Sequence, residues 1–405
     1  MSRILQVNLT GENDIAKVGS LLQSLSRLRV NLLDITQTVI YESLFLAMIL
    51  ELPEEGYAES TLNDLRIQAS SLGLRLETRR LSVEEYESWV SSQQKKRCII
   101  TLLGRSLTVE HVAKVNELVQ QYELEINFIQ RLSNRKPSHQ TQPHPGLTCI
   151  EIALRGAPVD ISEMRSTLLS ISQNFEIDIG IQEDTPYRKH RRLLALDMDS
   201  TLIQTEVVDE MAEYAGVRDR VARITEEAMQ GGIDFRESLK QRVQLLQGLP
   251  VEVLEEVSRK LPITDGAKRL IQNLKTLGYK VAIISGGFTF FGQRLQKELG
   301  IDYLFANDLE IENGRLTGRI KGEIIDGQKK ADLLSRLAEQ EGISLEQVIA
   351  VGDGANDLPM LNLVGLGIAF RPKPLVRQGA KQAISNVGLD AILYFLGLRD
   401  REAIV

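Results

Sequence analysis

Leu193-Leu194-Ala195-Leu196-Asp197-Met198-Asp199-Ser200-Thr201-Leu202 is the stretch on which the reading of this chain turns. A short apolar run stops at two aspartates, which are followed by two hydroxyl residues. A brief run bounded by charge suits a buried strand. Doubly wound sheets bind ligands at the carboxyl ends of their strands, and side chains on a strand repeat every second residue. Asp197 and Asp199 are therefore expected at such an end, facing the same way. Two carboxylates held together repel, so a fold that keeps them needs a cation or a proton between them.

Matching pieces occur further along. An apolar run at 280–284 ends in Ser285-Gly286-Gly287, and another at 348–351 ends in Gly352-Asp353-Gly354-Ala355-Asn356-Asp357. Lys330 opens a helical pattern over 329–341, between the two. A nucleophilic carboxylate, further acids and a lysine are the parts needed for phosphoryl transfer through an aspartyl phosphate. From 207 to 263 the chain reads as an all-helical insertion, with helices over 208–214, 217–229, 234–246 and 251–261. Placed after the first strand of an α/β fold, it would cover that strand's carboxyl end and exclude water. Beyond it, strands and helices alternate, with Asn313-Gly314 as a hairpin turn and a last helix expected over 373–383. This alternation implies a doubly wound, mostly parallel, Rossmann-like α/β sheet.

The first half reads differently. Strands at 4–9, 30–39, 44–50 and 74–81 enclose helices that begin after Asp14 and at 62–71, the β-α-β-β-α-β order. The order returns with strands at 97–103, 125–131, 147–153 and 177–182 and helices at 109–122 and 161–174. Two α+β copies make an internal repeat. The polar segment 133–146, with His139 and His144, reads as a loop, not a metal site. The basic run Arg188-Lys189-His190-Arg191-Arg192 reads as a solvated connector. The expected domains are 1–92, 93–184 and 185–405.

Composition bounds the alternatives. The chain has 405 residues, is 43% hydrophobic, and carries a net charge of -7, which argues against a surface built for nucleic acid. Cys98 and Cys149, the two cysteines, each sit beside apolar residues and read as buried thiols in a reducing compartment. No stretch is apolar enough to span a bilayer and the start lacks a signal core, so the expected location is the cytoplasm.

About residues 190–400, with D-x-D-S-T from Asp197 to Thr201 and G-D-G-A-N-D from Gly352 to Asp357, resemble the haloacid dehalogenase superfamily, and within it the phosphoserine phosphatases. The helical insert carries Glu206, Met229, Phe235 and Arg242 in the register of that family. The resemblance implies Mg²⁺-dependent hydrolysis of O-phosphoserine to serine, the last step of serine biosynthesis. It implies Asp197 as nucleophile, Asp199 as general acid–base and Lys330 as the balance for phosphoryl charge. Asp197, Asp353 and the Asp199 carbonyl would bind Mg²⁺, with Asn356 and Asp357 orienting that shell. Ser285, the Gly286 amide, Lys330 and Asn356 would hold the phosphate. Glu206 would take the substrate ammonium, Arg242 its carboxylate, and Met229 and Phe235 would close the pocket.

The N-terminal pair resembles tandem ACT domains, which bind amino acids and associate edge to edge. Its turns, Gly11-Glu12-Asn13-Asp14 and Gly104-Arg105-Ser106-Leu107, lack the proline common in that family. A homodimer through these domains and a serine effector are expected, and a purely structural role stays open. Two other classes remain beside a phosphatase for phosphoserine or phosphothreonine. A phospho-accepting receiver module would lack the second aspartate and the helical lid. A non-catalytic amino-acid sensor would have no need of the aspartates.

Overall fold

The computed structural model describes residues 3–53, 59–135, 146–229 and 232–403; His139 and His144 lie outside them. The chain forms two compact units, residues 1–95 and 96–405.

The first unit runs β1 (Ile4–Glu12), α1 (Ile15–Arg27), β2 (Asn31–Ile40), β3 (Ser43–Glu51), α2 (Glu59–Ser71), β4 (Leu74–Leu81) and α3 (Val83–Gln93). Its sheet has the order β2-β3-β1-β4 and is antiparallel throughout. Asp14 caps α1 by accepting from the amides of Ala16 and Lys17. Leu5, Val7 and Leu9 alternate inward from β1 and pack with Leu21 and Leu25 of α1. α3 lies beyond the expected elements. It starts at a capping box in which Ser82 and Glu85 satisfy each other's backbone.

The second unit opens with β5 (Arg97–Gly104), α4 (Val109–Gln121), β6 (Glu125–Arg131), β7 (Thr148–Arg155), α5 (Ile161–Phe175) and β8 (Asp178–Glu183). The order β6-β7-β5-β8 repeats the first sheet, and both edge strands bulge, β2 between Leu32 and Asp34 and β6 between Ile126 and Phe128.

It continues through β9 (Leu193–Leu196), four helices α6 (Val207–Tyr214), α7 (Arg218–Met229), α8 (Phe235–Gln244) and α9 (Val251–Lys260), then α10 (Ala267–Thr276), β10 (Lys280–Phe288) and α11 (Thr289–Leu299). There follow β11 (Tyr303–Glu312), β12 (Arg315–Lys321), α12 (Gly327–Gln340), β13 (Val348–Gly352), α13 (Leu358–Leu363), β14 (Leu366–Phe370), α14 (Pro374–Gly379), β15 (Gln382–Ile384) and α15 (Ile392–Phe395). The sheet order is β12-β11-β10-β9-β13-β14-β15, parallel except for the β11–β12 hairpin. β9 is central and buried on both faces. Leu193 and Ala195 join the core under α12 and α13, while Leu194 and Leu196 join the core of α10, α11 and the helical insert.

Three expectations are corrected. The helix expected over 373–383 stops at Gly379, and the chain returns to the sheet as β15. The strand does not continue through Asp199; it ends at Leu196 and the chain turns. The basic connector is solvated only in part: Lys189, His190 and Arg192 are exposed, but Arg188 and Arg191 are 2% and 4% exposed. Arg188 pairs with Glu151 of β7, and Arg191 donates to the carbonyls of Glu346 and Gly365. Arg188, which also donates to the Phe395 carbonyl, joins the second small sheet to the large one, while Arg191 ties the connector to the large one. Asp178 of β8 adds to that junction by accepting from the amides of Ser385 and Asn386 at 2.8 and 2.9 Å. A Cβ on Gly180 would collide with the ring of Phe395, so only glycine lets β8 approach this closely.

Candidate active site

The carboxyl ends of β9, β10 and β13 converge, and each delivers one of the motifs. Asp197 leaves β9 in extended conformation, and its amide still donates to Val351 of β13 at 2.8 Å. The chain then turns through Ser200, which takes φ 54°, a left-handed conformation costly for a serine. The strand ends before Asp197, so strand alternation does not set how the two aspartates face. Ser200 Oγ donates to Glu206 Oε1 at 2.9 Å, and Thr201 Oγ1 donates to Asp353 Oδ1 at 3.3 Å. The two hydroxyls of the motif thus tie the turn to the helical insert and to β13.

Lys330, on the first turn of α12, has no exposed surface. Its Nζ lies 2.8 Å from Asp197 Oδ2 and 2.7 Å from Asp357 Oδ1. Burial opposes its charge, but Asp197 and Asp357 hold its pKa well above the usual lysine range. The cation that two clustered carboxylates demand is therefore built into the chain. The other oxygen of Asp357 accepts from the Gly354 amide at 2.9 Å. Carboxylate oxygens of Asp197, Asp353 and Asp357 lie within 4.8 Å of one another, a hard-oxygen set able to hold a metal cation. Burial, then Asp357 and Asp197, pushes the Asp353 carboxyl up to about 8.

Asp199 is held well above the carboxylate range, chiefly by burial, then by Glu206 and Asp197. A group kept protonated beside a nucleophile suits a general acid. A Cβ on Gly287 would fall 2.5 Å from Asp199 Oδ2, so that glycine makes room for the acid.

The remaining residues line one cavity of about 880 Å³ between insert and sheet, which holds Asp197, Asp199, Glu206, Phe235, Arg242, Ser285, Gly286, Asp353 and Asn356. Phe235 closes over Gly286, whose Cβ would lie 2.7 Å from the ring. Arg242 is buried, and it and Glu206 act on each other electrostatically. Met229 ends α7, but its side chain lies outside the described residues. Ser285 Oγ accepts from the Gly287 amide at 3.0 Å.

Two supports escaped the sequence reading. Asn307, buried in β11, donates to the Gly286 carbonyl at 2.8 Å and accepts from the Ile325 amide at 2.9 Å, fixing the loop around Gly286 and Gly287. A polar residue inside Phe305-Ala306-Asn307 was its only signal. Arg236 of α8 pairs with Asp326, the cap of the helix that carries Lys330, and so pins the insert to the core.

Residues 194–362 match the model of the haloacid dehalogenase-like hydrolases, and residues 3–79 that of the ACT domain. The phosphoserine phosphatase of Streptomyces coelicolor is 38% identical over 401 residues, 98% of this chain and 93% of the relative. That of Mycobacterium tuberculosis is 34% identical over 396 residues, with the same coverage. Among solved structures, a HAD family hydrolase from Salmonella enterica serovar Typhi superposes with a TM-score of 0.64 at 31% identity, covering 74% of this chain and 98% of its own. A probable phosphoserine phosphatase from Vibrio cholerae gives 0.58 at 35% identity, covering 76% and 87%. With more than 30% identity to two phosphoserine phosphatases over nearly its whole length and theirs, this chain belongs to the phosphoserine phosphatase family of haloacid dehalogenase-like hydrolases.

Proposed function

We propose that the chain hydrolyses O-phosphoserine to serine and phosphate through an aspartyl phosphate, with Mg²⁺, as the last step of serine biosynthesis. The observation that carries the reading is the buried Lys330 held between Asp197 and Asp357, in a cavity that also holds Glu206 and Arg242.

An Asp197 oxygen attacks phosphorus, and the bond from phosphorus to the serine oxygen breaks. Asp199 gives its proton to that oxygen, so serine leaves as the alcohol and not as the alkoxide. Asp199 then takes a proton from water as the water oxygen attacks phosphorus, and phosphate leaves with Asp197 restored. Lys330 stays beside the attacking oxygen and offsets the charge gathered on the phosphoryl group. Asp197, Asp353 and the Asp199 carbonyl would hold Mg²⁺, whose charge lets an anion approach an anion. Asp357 spends its oxygens on Lys330 and Gly354, which suits an orienting role.

Glu206 receives the substrate ammonium and Arg242 its carboxylate by a two-pronged contact. An ester lacking either group leaves a buried charge unpaired. On this reading the small domains, 1–92 and 93–184, assemble a homodimer and sense serine, while 185–405 carries the chemistry. Two buried, unpaired cysteines fit a reducing cytoplasm.

The test is phosphate release from phosphoserine, phosphothreonine and a phosphate ester with neither amine nor carboxylate, with Mg²⁺ and with chelator. Phosphoserine should be fastest, and activity should vanish in chelator and return with Mg²⁺. Equal rates on all three substrates would remove the specificity assigned to Glu206 and Arg242.

A further inference from the structure

A second cavity, of about 630 Å³, lies between α5 of the second small sheet and the segment that joins α14 to β15. It is lined by Arg165, Arg377 and Lys381 and by several serines and glutamines, and among the described residues no acidic side chain lines it. Arg377 donates to Ser172 at 3.2 Å, yet its Nε is buried without a partner, as is the Nε of Arg165. Glu183 acts on Arg165 electrostatically but forms no ion pair with it. Three cationic side chains gathered around one cleft without an acid among its described lining residues repel one another, a cost that a bound anion offsets.

We infer that this cleft is an oxyanion site, distinct from the catalytic cavity, in which Arg165 and Arg377 bind a small carboxylate or phosphate. The chemistry of the lining favours an anion over a zwitterion. An α-amino acid brings an ammonium that needs a carboxylate, as Glu206 offers in the catalytic cavity, and none of the described residues lining this cleft supplies one. The site also has a route to the chemistry. Arg377 lies on α14, and Val376 of the same helix and Lys373 at its cap line the catalytic cavity. An anion drawing on Arg377 pulls on a helix that forms part of the substrate pocket, so occupancy changes KM for the substrate.

The coupling rests on the phosphatase reading; the binding does not. Calorimetric titration of the full chain with succinate, with inorganic phosphate and with serine tests the binding. At least one anion should bind saturably, and Arg165→Gln and Arg377→Gln should each weaken it by about tenfold or more, the loss expected for a charge-assisted pair. Phosphate also enters the catalytic cavity, but that event is indifferent to Arg165→Gln. Absence of saturable anion binding, or binding equal in all three proteins, overturns the site. Serine binding that depends on both arginines overturns the ligand class. For the coupling, succinate, or phosphate beyond its competition in the catalytic cavity, should shift KM more in the wild type than in Arg165→Gln; binding with KM unmoved, or moved alike in both, overturns it and leaves the site standing.

Discussion

Lys330 Nζ stands 2.8 Å from Asp197 Oδ2, and neither the lysine nor its second partner Asp357 has any exposed surface. The pair gives the Asp197 carboxylate a cationic partner among neighbouring acids. Lys330→Met should lower kcat on the order of 10²–10³-fold, the usual loss for one electrostatic stabiliser of a transition state. It should also destabilise the fold by about 3–5 kcal/mol, because two buried carboxylates lose their partner. Activity assays and denaturant unfolding check both numbers. A variant of normal stability and rate would show that the contact is incidental.

Asp197→Asn should leave the fold intact and remove the phosphoenzyme. Acid-quenched protein examined by mass spectrometry should carry one phosphoryl group in the wild type and none in the variant. A phosphoryl group retained by the Asp197→Asn protein would place the nucleophile elsewhere.

Proton uptake at the acid cluster gives metal binding a definite pH dependence. Asp353 is raised to about 8, and Asp357 is raised too, chiefly by burial and then by Asp197. An aspartate in the unfolded chain titrates at about 3.9. Between about pH 4 and 8, then, the native state keeps protons that the unfolded state has released, and the cluster's contribution to stability falls as pH rises. Divalent cations need these carboxylates ionised, so binding expels the protons. Mg²⁺ affinity should therefore climb through this window, with protons released at its lower end. Calorimetry in two buffers of different ionisation enthalpy measures the release, and affinity flat with pH would contradict the assignment.

Arg242→Ala should raise KM for phosphoserine far more than for an ester without a carboxylate. The difference should correspond to roughly 2–5 kcal/mol, the cost of truncating one partner of a buried charged contact. Parallel losses on both substrates would mean that Arg242 supports the insert and does not read the carboxylate.

The site was legible where chemistry and chain position coincide. Asp197, Ser285 and Asp353 end apolar runs, so a strand-end reading placed them together without coordinates. Asp199 shares a cavity with Asp197, but not by strand alternation, since the strand ends at Leu196 and nothing in the residue types announces that end. The buried Arg188 and Arg191 were misread because a basic run looks solvated until a second sheet is known to dock over it. Pairings such as Arg236 with Asp326 join residues 90 apart, which no local pattern reveals.

The last prediction concerns assembly. β2 is an edge strand of ten residues, exposed along its whole length, and Leu32, Ile35 and Ile40 show apolar surface beside Phe45 of β3. β6 is the matching edge of the second small sheet and exposes Phe128 and Ile129. Long apolar edges are templates for another chain, and a two-fold dimer is the commonest closed arrangement. The full chain should be a homodimer held by these edges, before residue 184. A charged side chain on an edge blocks pairing without touching the core. The double variant Ile35→Lys, Ile129→Lys should therefore be monomeric by light scattering, with its phosphatase rate unchanged. A double variant that stays dimeric would place the interface elsewhere. A monomer with lost activity would mean that assembly reaches the active site after all.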